Sequence, residues 1–220
     1  MARGVPLTEE GVLQYIGTLP QAKANARQLV RELGAKGPAR EKLDAILASL
    51  TGKGHLVEFR PDHYVVESKS REYYAGRLRL HRDGYGFLLT DRPIDGIDGD
   101  IFLNPRNASR AMDGDRIVVA LQRVASQNRA EGRIVQILER RHQTVVGEFV
   151  AGKRNNYVKA HDDRIRQPIL IPKGDEIPSR ENVDRIGGTP LMVESADDLH
   201  GMIVNVQILE LPEGDEPGLG

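Results

Sequence analysis

The sequence predicts a multidomain, mainly β protein: an N-terminal winged helix-turn-helix domain (α+β) followed by two small β-barrels of the OB-fold type. Three observations lead to this fold class. Helical periodicity with capping residues is confined to residues 1–70. Short alternating strands with Asp-Gly turns occupy the residues that follow. The strand pattern then recurs at an offset of about 70 residues, which indicates a duplicated unit.

The first domain, residues 1–70, is predicted from capped helices and a hairpin. Thr8 is a suitable N-cap for the first helix, and Gly34 and Gly52 are suitable stops for the second and third. Two alternating runs on either side of Pro61 then form the hairpin. The predicted elements are helices at 8–18, 22–33 and 38–50 and strands at 55–59 and 63–67.

A winged helix often places a helix in a duplex groove. The third helix, however, offers only Arg40 and Lys42 near its start. Since a fold does not fix a function, contact with a duplex nucleic acid and docking of a protein both stay open as roles for this domain.

The second domain, residues 71–142, is predicted as a five-stranded OB barrel. Asp-Gly pairs at residues 83, 95, 98 and 113 mark the junctions between its strands. In such barrels the second and third strands form the oligonucleotide-binding face. The predicted strands are 73–81, 84–91, 100–104, 115–123 and 131–140, with a separate segment at 105–112 between the third and the fourth.

Three aromatic residues are predicted to share one face of this barrel. Tyr85 and Phe87 alternate along the second strand and therefore point the same way, and Phe102 on the third strand completes the row. Rings in this arrangement can stack on bases of any identity, which suits a protein that binds single strands without sequence preference. The alternative is that all three rings belong to the hydrophobic core.

Arginine supplies every positive charge between residues 71 and 141. Its planar guanidinium both pairs with phosphate and stacks on bases. His81, at the end of the first strand, either touches the nucleic acid or is a solvated strand end. The residues predicted to hold phosphates are Arg77, Arg79, Arg82, Arg106 and Arg110.

A second barrel is predicted over residues 143–212 from three ordered similarities. Gly76 is echoed by Gly147, residues 101–103 by 169–171, and residues 132–135 by 201–204. The aromatic row is poorer in this copy, where Tyr157 and Lys159 are the candidate RNA-binding residues and Leu170 replaces Phe102. Residues 213–220 read as a linker.

Catalysis within these residues is not expected. Asp95, Asp98 and Asp100 form the best carboxylate cluster, but they alternate with Gly as turn residues do. The chain has no Cys and no Trp, no His pair at metal-ligand spacing and no apolar run of membrane-spanning length. We therefore expect no catalytic residue, metal or other cofactor in this segment, no membrane contact and a cytoplasmic location.

Two short runs carry a family resemblance. Gly-Tyr-Gly-Phe-Leu at 84–88 and Asp-Ile-Phe-Leu at 100–103 resemble the two ribonucleoprotein motifs of cold-shock domains. Residues 76–121 are more specifically similar to the first cold-shock domain of the bacterial ribonuclease II/R family. The chain departs from stand-alone cold-shock proteins at the first strand, where Leu80 and His81 replace aromatic side chains.

The resemblance implies that the chain corresponds to the N-terminal half of such an enzyme. The family fold would be a winged helix and two cold-shock domains, and the activity that of a processive 3′-to-5′ exoribonuclease. Its Mg²⁺-dependent catalytic domain would lie beyond Gly220. The partners implied are single-stranded RNA and the chain's own catalytic domain. The alternatives are a stand-alone RNA chaperone or regulator of the cold-shock type, and a winged-helix transcription factor with accessory barrels.

Overall fold

A computed structural model describes residues 4–94, 96–97, 99–125, 129–165, 167–177, 193–210 and 217–220. The protein is mainly β, with an OB-like barrel and a few helices. Asp95 and Asp98, two acids of the best carboxylate cluster in the sequence, lie outside the described residues. Over the part of the chain that is described, none of the helices is long and apolar enough to cross a membrane.

The N-terminal unit packs helices on a three-stranded sheet of order β1-β3-β2. Thr8 caps the first helix as predicted, since its hydroxyl accepts a hydrogen bond from the Gly11 N–H at 3.2 Å. Leu29, Leu43 and Leu56 are fully buried in its core. The elements are α1 (Glu9–Thr18), α2 (Ala26–Glu32), α3 (Pro38–Gly52), β1 (Lys23–Asn25), β2 (Leu56–Arg60) and β3 (His63–Val66).

The second helix begins later than the sequence predicts. Residues 22–33 were expected to be helical, but Lys23–Asn25 form β1, which pairs antiparallel with β3. The Asn25 side chain then accepts a hydrogen bond from the Gln28 N–H at 2.8 Å and caps α2. Cross-strand hydrogen bonds, which no local pattern reveals, override the helical propensity of these residues.

The structure contains the predicted five-stranded, OB-like barrel. It closes in the order β4-β5-β6-β8-β7, with β6 and β8 parallel and the other neighbours antiparallel. The segment between the third and the fourth strand contains a short helix. The elements are β4 (Tyr73–Leu80), β5 (Gly86–Thr90), β6 (Ile101–Leu103), α4 (Pro105–Ala108), β7 (Arg116–Ala125) and β8 (Arg129–Glu139).

A second five-stranded sheet repeats the strand order of the barrel. Its fourth strand lies beside its first, as β7 lies beside β4, and its fifth is parallel to its third, as β8 is to β6. Gly76 and Gly147 are equivalent, because a Cβ at either would overlap a carbonyl oxygen of the second strand, that of Leu89 or Lys159. The strands are β9 (Thr144–Val150), β10 (Asn156–Ala160), β11 (Ile169–Ile171), β12 (Ile203–Gln207) and β13 (Gly218–Leu219).

Two details of the predicted repeat are wrong. Residues 201–204 do not correspond to residues 132–135: β12 pairs with β9 and is therefore the counterpart of β7, whereas residues 132–135 belong to β8. The predicted linker, 213–220, contains β13, which pairs with β11. A two-residue strand has too little alternation to be read from sequence, and the true fifth strand was missed for that reason.

Side chains join the N-terminal unit to the barrel. Arg92 of the barrel donates hydrogen bonds to the carbonyl oxygens of Glu67 (3.0 Å), Ser70 (2.5 Å) and Tyr73 (3.0 Å). The same guanidinium lies 4.1 Å from the centroid of the Tyr74 ring. Arg92 thereby holds the segment that connects the two units in one conformation.

An ion-pair network joins the barrel to the second sheet. Arg164 lies 2.5 Å from the carboxylate of Asp113 in the barrel and 2.7 Å from that of Asp162. Hydrogen bonding to Arg164 is the largest influence on Asp162 and lowers its pKa below the ordinary value. One guanidinium thus bridges a carboxylate of the barrel and a carboxylate of the second unit.

Candidate nucleic-acid interface

A tight loop between β4 and β5 builds the edge of the candidate site. The His81 N–H donates to the Tyr85 carbonyl at 2.8 Å, and the Gly84 N–H donates to the His81 carbonyl at 2.9 Å. Gly84 has a φ of 88°, which its lack of a Cβ permits. This geometry stacks the His81 and Tyr85 rings, whose centroids lie 4.5 Å apart at an interplanar angle of 12°.

The predicted aromatic residues meet in one surface cluster. The Tyr85 and Phe87 centroids are 5.8 Å apart, and the Phe102 centroid lies 5.9 Å from Tyr85 and 5.7 Å from Phe87. Phe87 is 36% exposed, and the other two rings are half-buried. The alternative that all three rings are core residues is therefore wrong. We call His81, Tyr85, Phe87 and Phe102 the aromatic face.

Strand register places charges at both ends of the aromatic face. Arg79 on β4 is the Cα partner of Phe87, which is the partner of Phe102, which is in turn the partner of Glu131 on β8. Register partners point to the same side of a sheet, so these four side chains form one row across the barrel surface. Leu89, 41% exposed, follows Phe87 along β5.

The other predicted cations occupy different positions. Arg77, the register partner of Leu89, is exposed on the same side of β4 and donates a hydrogen bond to the Gly114 carbonyl at 3.3 Å. Arg82 is exposed in the β4–β5 loop, and Arg106 is exposed on α4. Arg110 donates to the Ile134 carbonyl at 3.3 Å, a contact that fixes the helical segment on β8. Of the five predicted arginines, Arg79 stands in the row, with Arg77 beside it on β4.

The corresponding face of the second sheet has one aromatic ring. Tyr157 pairs with Leu170 as Phe87 pairs with Phe102, and Asn155 stands where the barrel has Tyr85. Lys159 is exposed and pairs with Glu148, an acid at the position of Arg77. The sequence-predicted residues of this copy therefore lie on the expected face, in a surface with fewer rings and mixed charge.

Sequence reasoning missed two residues of the barrel face. Leu89 could have been found from its alternation with Phe87 along one strand. Glu131 could not, because its position beside Phe102 depends on the parallel pairing of β6 with β8, two strands distant in sequence.

Among the described residues, no three His, Cys, Asp or Glu side chains lie close enough together to hold a metal ion. Asp115, the buried acid of the barrel, accepts hydrogen bonds from the Arg140 side chain and the Arg141 N–H, both at 2.9 Å. This carboxylate is used in holding the end of β8.

Comparison with known proteins agrees with this geometry. Residues 76–137, which make up most of the barrel, match the family model of the ribonuclease B OB domain. Ribonuclease R of Acidithiobacillus ferrooxidans is 28% identical over 209 residues, which is 94% of this chain and 42% of that protein. The chain is similar to ribonuclease R over most of its length. The resemblance inferred from the two motifs is thereby confirmed.

Other ribonuclease R proteins match shorter parts of the chain. That of Vibrio cholerae is 30% identical and that of Escherichia coli 27% identical, each over 166 residues. Both matches cover 75% of this chain and 20% of the relative. The chain therefore spans less than half the length of these ribonuclease R relatives.

Two solved structures match part of this chain. "Mycoplasma genitalium RNase R in complex with ribose methylated single-stranded RNA" has a TM-score of 0.49 and 16% identity, over 66% of this chain and 20% of that one. Yeast Ssd1, a pseudonuclease, has a TM-score of 0.46 and 18% identity, over 80% of this chain and 23% of that one.

Proposed function

We propose that this chain is the RNA-binding region of a ribonuclease R-type exoribonuclease. In this proposal the N-terminal unit is a winged helix-turn-helix domain and the two β units are cold-shock-type barrels. Together they capture single-stranded RNA in the cytoplasm and feed its 3′ end to a catalytic domain. The observation that carries the proposal is the aromatic face, a half-exposed ring cluster with Arg79 beside it.

The rings supply affinity that does not depend on sequence. Each base stacked on a ring contributes roughly 1–3 kcal/mol, and every base has a π-face. Phe87 and Phe102 are neighbouring rings whose centroids lie 5.7 Å apart, and the His81 ring stacks on one side of the Tyr85 ring. A surface that binds every base is suited to a strand that slides through it, as processive degradation from a 3′ end requires.

Arginines on β4 would hold the phosphates. Arg77 and Arg79 stand two residues apart on the outer side of one strand, next to the ring row. Pairing of guanidinium groups with phosphates releases counterions, so the affinity of a single strand falls with salt by a slope of roughly 0.7 per contact. Tyr157 and Lys159 of the second sheet would extend the path with weaker contacts.

The described residues do not fit a hydrolytic magnesium site. Hydrolysis with two Mg²⁺ ions needs several carboxylates converging on ions that lie about 4 Å apart. We place that chemistry in a catalytic domain outside these 220 residues and derive no step of it from this chain. The role of this chain is to bind and orient the RNA.

A binding titration tests the RNA-binding role. The Kd of a fluorescent single-stranded RNA is measured for the parent chain and for Tyr85→Ala with Phe87→Ala. The double variant should lose roughly 2–4 kcal/mol if each stack has its usual value and the two add. Leu209→Ala, which removes a 59% exposed apolar side chain outside the strands of both faces, is the control and should bind like the parent. Unchanged affinity of the double variant would exclude the stacking role.

The enzymatic part of the proposal is tested on the complete gene product. Digestion of an RNA labelled at its 5′ end should yield products that shorten progressively from the 3′ end. Tyr85→Ala with Phe87→Ala should slow this digestion mainly at low RNA concentration, since it weakens capture. RNA binding without any degradation by the complete protein would overturn the exoribonuclease role and leave an RNA chaperone.

A further inference from the structure

A carboxylate stands next to the rings in the row across the barrel. Glu131 is the register partner of Phe102 in the parallel pair of β6 and β8. Its neighbours Ala130 and Gly132 are buried, so the Glu131 side chain points to the outer surface, where it is half-buried. The row thus runs from a guanidinium at Arg79 over two rings to an acid.

This charge order gives a bound strand an orientation. A phosphodiester backbone is attracted to Arg77 and Arg79 on β4, which stand on the side of the two rings away from Glu131. A nucleotide stacked on Phe102 with its phosphate toward β4 directs the edge of its base toward β8. The Glu131 carboxylate stands on that side of the Phe102 ring.

We propose that Glu131 reads the base stacked on Phe102 and makes the face prefer bases with an exocyclic amino group. The proposal rests on the RNA-binding role proposed above. An ionised carboxylate accepts hydrogen bonds and donates none. Cytosine offers the N4 amino group and adenine the N6 amino group, whereas uracil presents carbonyl O4 at the matching position. Cytosine and uracil are rings of similar size, so their comparison isolates this hydrogen bond from stacking.

The test compares oligo(C) and oligo(U) RNA of equal length at neutral pH. The parent chain should bind oligo(C) roughly threefold to tenfold more tightly, the gain expected of one charge-assisted hydrogen bond near the surface. Glu131→Gln replaces the two acceptor oxygens of the carboxylate with an amide, which both donates and accepts hydrogen bonds. The ratio of the affinities for oligo(C) and oligo(U) should then be close to one. Glu139→Gln removes the same charge from an exposed position of the same strand and should leave the ratio unchanged.

The ratio, and not the affinity itself, is the decisive quantity. Removal of any acid strengthens RNA binding through charge, but only Glu131 should alter the choice between cytosine and uracil. Glu131 also stands opposite Arg123 in the register of β7 and β8, so a melting curve is recorded for each variant to show that the barrel is intact.

Failure of this inference is distinguishable from failure of the RNA-binding role. A parent ratio of one, or a ratio that Glu131→Gln leaves unchanged, overturns the reading of bases by Glu131. Phe87→Ala is measured alongside: if it weakens both oligonucleotides, the stacking role stands whatever the ratio. If it weakens neither, the RNA-binding role of the face fails as well.

Discussion

The barrel and the second sheet have the same strand order and different surfaces. Both place a glycine of the first strand against a carbonyl of the second, and both bury the third strand, whose central residue alone is partly exposed. Where the barrel presents Phe87 beside Phe102, the second sheet presents Tyr157 beside Leu170. The inward residues thus keep one pattern in both copies, whereas the outward residues differ.

The largest effect should come from the feature that both copies share. Gly76→Ala and Gly147→Ala each place a methyl group against backbone, which cannot move aside as a side chain can. Each should destabilise its unit by roughly 3 kcal/mol, at the upper end for overpacking. Denaturant unfolding measures the loss. Gly52→Ala is the control, because a Cβ there meets nothing within 4 Å. Stability unchanged in either variant would contradict the equivalence of the two glycines.

Loss of one ring should affect the two faces unequally. Phe87 contacts two further rings, whereas Tyr157 stands opposite an aliphatic side chain. Phe87→Ala should therefore weaken single-stranded RNA binding by about 2 kcal/mol and Tyr157→Ala by less than about 1 kcal/mol. Titration of both variants with the same oligonucleotide gives the comparison. Equal losses would mean that the second sheet is as important for RNA binding as the barrel.

A ring can also be restored in the poorer copy. Leu170→Phe creates beside Tyr157 the pair that Phe87 and Phe102 form in the barrel. We expect a gain of about 1 kcal/mol in RNA affinity, the low end for an added stack on an exposed surface. Leu170→Phe introduced together with Tyr157→Ala should raise RNA affinity by less than Leu170→Phe alone. No gain from Leu170→Phe alone would indicate that the RNA does not reach the second sheet.

The smallest effect concerns the ion pair of Asp162 with Arg164, the guanidinium that also pairs with Asp113 of the barrel. Hydrogen bonding to Arg164 lowers the pKa of Asp162 in the folded chain, so this carboxylate stabilises the fold when ionised. The Asp162 carboxylate contributes fully to stability above its pKa in the unfolded chain, which is about 4. The contribution disappears as the pH falls through its lower pKa in the folded chain. Asp162→Asn should therefore melt below the parent at neutral pH, by a small margin because the pair is partly exposed. If the difference in melting temperature between the parent and Asp162→Asn does not shrink in acid, the ionised Asp162 carboxylate is not the cause of it.

Several elements were predictable because their signals are local. Thr8 caps α1, and the alternation of Tyr85 and Phe87 along one strand puts both rings on one side. The start of α2 was not predictable, because Lys23–Asn25 are extended only in the presence of β3. The strand β13 was not predictable for two reasons: its two residues show too little alternation, and its pairing with β11 crosses nearly fifty residues of chain.

The kinds of elements, the barrel and the rings on its face could be inferred from the residues alone, because caps, turns and alternation are properties of neighbouring residues. What stands beside those rings depends on the pairing of strands that are distant in sequence. Closure of the barrel brings Arg79 to one side of the two rings and Glu131 to the other, over fifty residues apart in sequence. Strand register makes Arg79 the neighbour of Phe87 and Glu131 the neighbour of Phe102. The order of charges across the face follows from this pairing.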